Sequence, residues 1–90
     1  MRLRSDLLVR RLPGVVLACV PPPGYADLAT VVRIEGTALA VFAELGREQT
    51  LEDLAASLAR SFDAPPEQVA ADLAPVLAGW RDAGLLTDAP

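Results

Sequence analysis

The chain has 90 residues, 52% hydrophobic and 22% charged, with a formal net charge of −4. That length suits one domain with a modest core, and that balance marks a folded chain. Histidine and lysine are absent, all eight cations are arginine and Cys19 is the single cysteine, which removes the commonest general base, an internal disulfide and a thiolate metal cluster, while the acidic charge argues against nucleic acid as the partner.

The start of the chain, MRLRSDLLVRRLPG, is basic. It lacks the apolar run and small-residue cleavage site of a signal peptide, and no segment approaches the roughly 20 apolar residues that span a bilayer. The cytoplasm is the expected compartment, with no membrane partner. Strands are predicted over 6–12 and 15–20, flanking Pro13-Gly14, a pair suited to the centre of a type II turn. Cys19, inside VVLACV, reads as a small buried hydrophobe. PPPGYAD, residues 21–27, reads as a loop, since prolines lack the donor a sheet interior needs. A third strand is predicted over 28–34, rich in β-branched residues.

After Gly36 the period changes from two to 3.6. A first helix is predicted over 37–45, with Gly46 as its left-handed terminator. Thr50 is expected to cap a second helix, 50–61, whose apolar stripe is Leu51, Leu54, Ala55, Leu58 and Phe62. The prolines at 65 and 66 break the chain, and a third helix, 66–83, starts on Pro66. Pro75 inside it predicts a bend. Leu85 and Leu86 fold back onto the core. The order makes an α+β domain over 1–90, a three-stranded antiparallel sheet followed by three helices.

No catalytic constellation is present. The carboxylates lie mostly on predicted helix surfaces, the serines have no partner base, and the glycines form no phosphate loop. The chain does not read as an enzyme, and neither a cofactor nor a metal is expected.

The run RIEGTALAVFAELGREQTLEDLAASLARSFDAPPEQVAADLAPVLAGWRDAGLL resembles the PqqD-like family, also called RiPP recognition elements. Thr37-Ala38, Leu45, Thr50, Phe62, Asp72 and Gly84-Leu85-Leu86 stand where that pattern has them. Glu35 replaces an Asn, Phe42 a Trp and Trp80 a Leu, and Gly46 comes one place early. The likeness covers about residues 31–86. It implies a winged helix-turn-helix-like fold that binds the leader region of a ribosomally made precursor peptide. In that family the leader adds as a strand to the third strand of the sheet, in a groove beside the third helix. Carried onto this chain, the peptide-binding residues are Ala29, Thr30, Val31, Val32 and Arg33 on the strand, and Gln68, Val69, Asp72, Leu73 and Val76 on the helix. The pockets are expected between Val31 or Arg33 and the helix. Asp72 pairs either with a leader cation or with Arg33. The implied second partner is a maturation enzyme, a radical-SAM enzyme or a leader peptidase, served by a monomer or weak dimer. Two other readings fit the same elements: a winged-helix DNA-binding regulator, or a small structural subunit that adds its edge strand to a partner protein.

Overall fold

The computed structural model describes residues 1–22 and 29–87. The elements in chain order are β1 (Arg2–Leu3), β2 (Leu8–Leu12), β3 (Val15–Val20), β4 (Thr30–Glu35), α1 (Ala38–Glu44), α2 (Leu51–Phe62), α3 (Pro66–Asp82) and β5 (Leu86–Thr87). The proline loop expected at 21–27 falls, from residue 23 on, outside the described residues, as does Leu28.

β2, β3 and β4 form an antiparallel sheet in that order, with Leu12 opposite Val15 and Val16 opposite Ile34. The two-residue turn between β2 and β3 holds Gly14 at φ 73°, the positive value that a type II turn demands after its proline. The period of two assigns the faces. Val16, Ala18, Val20 and Ile34 are buried toward the helices. Their neighbours Leu17, Cys19, Val31 and Arg33 share the other face. Cys19 is therefore half-buried on the outside of the sheet and not a core residue, because the alternation that buries Ala18 turns its neighbour outward.

The helices close over the inner face. Leu45, Leu54 and Leu85 are fully buried, and Phe42 meets Trp80 edge to face at 6.2 Å between ring centroids. Thr50 caps α2 by accepting the Asp53 N–H at 3.1 Å. α3 begins on Pro66 and continues through Pro75 as one helix of 17 residues. Leu51 and Phe62, assigned to the stripe of α2, are exposed instead; they stand at the two ends of the helix, beyond the width of the core. α1 ends at Leu45 with φ −84°. Gly46 does not adopt a left-handed conformation, whereas Asp63 does, at φ 51°, after α2.

A second, two-stranded sheet pairs β1 with β5. Neither strand was expected, since two residues carry no periodicity. The N-terminal residues are fixed further by Gln49. Its N–H donates to the Met1 carbonyl at 2.9 Å, and its carbonyl accepts from the Met1 ammonium, which also pairs with Glu48. The buried Gln49 side chain donates to the Glu44 carbonyl at 2.6 Å, satisfying an orphan acceptor at the end of α1. Close by in sequence, Arg4 grips Asp6 in a two-pronged hydrogen bond of 3.0 and 2.8 Å, which holds that carboxyl below its usual range. Among the described residues no helix is long and apolar enough to cross a membrane.

Removing the Gln49 amide leaves the Glu44 carbonyl without that donor. Gln49→Ala is expected to cost about 1–3 kcal/mol in urea unfolding. A change within error would mean that water replaces the amide freely.

Candidate functional site

β4 is a border strand: among the described residues it pairs with β3 alone. Its other side presents backbone donors and acceptors with no strand to meet them. Two charges, Arg33 and Glu35, stand on it and pair with each other at 3.3 Å. β4 runs directly into α1 through Gly36, whose φ of 63° is costly for any residue with a side chain. The strand and the helix N-terminus are thereby joined by a sharp corner.

A cleft of ≈ 300 Å³ opens just past that corner. Thr37, Ala38 and Val41 of the α1 segment form one wall, Leu58, Phe62 and Ala64 a second, and Val69, Asp72, Leu73 and Val76 of α3 the third. This is the lower end of the size range of ligand clefts, about 300–1,000 Å³. It fits one or two side chains of a ligand, not a whole peptide. The lining is apolar apart from Thr37 and Asp72. Asp72 accepts a hydrogen bond at 3.0 Å from Gln68, one turn before it on α3.

The sequence-derived helical residues therefore come together: Val69, Asp72, Leu73 and Val76 line the cleft, with Gln68 bonded to Asp72. The strand residues do not join them there. Ala29 precedes β4, and Thr30, Val31, Val32 and Arg33 lie along the strand, short of the cleft. Val31 and Arg33 point away from the helices. Val31 is 60% exposed and lines a broader concavity on the outer sheet face with Leu8, Leu17 and Cys19. Of the two partners open to Asp72, a leader cation or Arg33, the second is not met: Arg33 bonds Glu35. The reason is parity: Arg33 is opposite Leu17 on the outer face, while Val32 and Ile34, one residue to either side, face the helices.

The other two walls were missed. Phe62 was assigned to the core because it continues the i, i+4 stripe after Leu58. Its position at the very end of α2, ahead of the break at the prolines, was the available hint that it projects beyond the core. Thr37 and Ala38 were legible as a helix start and as part of the family pattern, not as a wall of the cleft.

Residues 25–86 match the family model described as coenzyme PQQ synthesis protein D, PqqD. The chain belongs to this family. No curated protein and no solved structure matches it significantly. The matched segment takes in β4, all three helices and every residue of the cleft. PqqD proteins are small, non-catalytic accessory proteins that bind a precursor peptide during its maturation. An apolar cleft beside an open strand, without an acid–base pair, is compatible with such a role.

Phe62 is 47% exposed while Leu58, one turn earlier, is buried. Leu58→Ala should cost about 2–5 kcal/mol in urea unfolding, and Phe62→Ala well under half as much. Equal losses would make Phe62 a core residue and remove it from the cleft mouth.

Proposed function

We propose that the chain is a non-catalytic adaptor that captures the leader of a ribosomally made precursor peptide. The leader adds as a strand to the open side of β4, and the adaptor presents it to a maturation enzyme, a radical-SAM enzyme or a leader peptidase, in the cytoplasm. The observation that carries this reading is the continuity of a border strand, open on one side among the described residues, with an apolar cleft at its end, in a chain of the PqqD family.

The energetics explain why strand and cleft are both needed. About four to six backbone hydrogen bonds, at about 0.5–1.5 kcal/mol net each, contribute roughly 2–9 kcal/mol. Association costs an estimated 4–15 kcal/mol. The ladder alone gives no useful affinity. Burial of on the order of 400 Å² of apolar surface, at about 25 cal/mol/Å², adds roughly 10 kcal/mol. The walls of the cleft supply part of that surface, and Val32, the partly exposed inward residue of β4, adds to it. Holding the leader raises the effective concentration of the peptide's core segment at the enzyme. No cofactor or metal takes part.

The DNA-binding reading is weaker on this geometry. The recognition helix would be α3, whose exposed positions include Glu67, Asp72 and Asp82 against Arg81. That face repels phosphate.

The test uses fluorescence anisotropy with a labelled candidate leader and a scan of single N-methyl groups along it. An added antiparallel strand uses the N–H groups of alternate residues only. Affinity should fall at every second position and hold between them. Uniform tolerance of N-methylation would exclude strand addition, and loss in a three-to-four-residue rhythm would indicate a bound helix.

A further inference from the structure

Asp72 is the one ionised group on the cleft wall. One of its oxygens accepts from the Gln68 amide, and none of the salt bridges among the described residues includes it. Arg33, the cation nearest in the strand plan, is committed to Glu35 on the opposite face of the sheet. The surroundings add to this charge. From residue 51 to residue 82, the two helices and their connection carry six carboxylates and two arginines. Residues 1–35 carry the reverse bias, five arginines and three carboxylates. The helical side of the cleft is thus built from a segment with an excess of carboxylates.

From this arrangement, and resting on the strand-addition reading above, we infer that the site selects a peptide with an apolar anchor and a lysine or arginine two positions from it. The anchor fills the cleft between Phe62, Val69 and Val76. The cation meets the free oxygen of Asp72 at the rim. The spacing follows from strand geometry, since residues i and i+2 of an extended chain project to the same side. An anchor turned toward the helices therefore brings its second neighbour, and not its first, to the helical side. An acidic residue at that position would meet Asp72 and the field of both helices. Asp72 is exposed, so its pairing is screened by water and salt. It acts as a discriminator among peptides, and the apolar anchor supplies more of the affinity.

The experiment is a selection of random 12-residue displayed peptides on the immobilised full chain. Binders are then synthesised and kept for analysis when their N-methyl scan shows the two-residue period. The expected binders place Leu, Ile, Val or Phe two positions from Lys or Arg. Asp72→Asn should weaken them by about two- to fivefold at low salt, and the difference should shrink at high salt. Asp72→Lys should reverse the preference, so that the same peptide with Glu in place of its cation binds better than the original. Thermal melts of both variants, unchanged from the parent, keep the effect apart from folding. Period-two binders without a basic residue at that spacing, insensitive to both substitutions, would overturn the inference while leaving strand addition in place. A selection that gives no period-two binder would remove both.

Discussion

A β-strand has two hydrogen-bonding sides, and in this sheet β4 uses one of them, for β3. Everything proposed for the site depends on the other. The inner face of the sheet is held by burial: Ile34, fully enclosed, and Val16, Ala18 and Val20 opposite and beside it lock the strand against the helices. That anchoring fixes the position of a border strand that would otherwise twist or fray. A strand with one open side is an aggregation hazard in most folds and a template in some. The Arg33–Glu35 pair on its outer face places charge along it without blocking the backbone.

The cleft arises from the way the three helices meet. α1 starts immediately after the corner at Gly36, α2 ends at Phe62, and the left-handed Asp63 and the two prolines send α3 back past both. Three helix termini converge there, and the side chains of the described residues leave the space between them open. Phe62 is the residue that shows this best. It is a large aromatic group left half in solvent at the mouth, while Leu58 on the same helix is buried. Such a group is suited to covering an apolar side chain that arrives from outside.

The charge of the site sits on its helical side. Carboxylates outnumber arginines along two of the helices that wall the cleft, while the charges of β4 itself, Arg33 and Glu35, pair with each other. Asp72 is the charged residue of the cleft lining, and among the described residues no salt bridge includes it. Its hydrogen bond to Gln68 orients it without neutralising it.

The identity and order of the main elements could be read from the chain itself, because each rests on local rules. The change of period at Gly36, the Thr50 cap, Pro66 at the start of α3 and Pro13-Gly14 in the hairpin all act within a few residues, and all stand where expected. The helical wall of the site was legible for the same reason: Val69, Asp72, Leu73 and Val76 lie on one side of a helix by spacing alone. What spacing could not supply was parity and termination. A strand pattern rich in β-branched residues does not say which alternate set faces inward, so it could not show that Val31 and Arg33 face away from the helices or that Cys19 lies on the outer face. A stripe does not say where the core it packs against stops, so Phe62 was buried in expectation and lies at the mouth of a cleft. Nor could two-residue strands such as β1 and β5 be seen, since their pairing joins opposite ends of the chain. Local conformation is set by neighbours in sequence. Which face, which edge and which empty space remain is decided only when distant segments pack, because burial of one set of side chains determines the exposure of the rest.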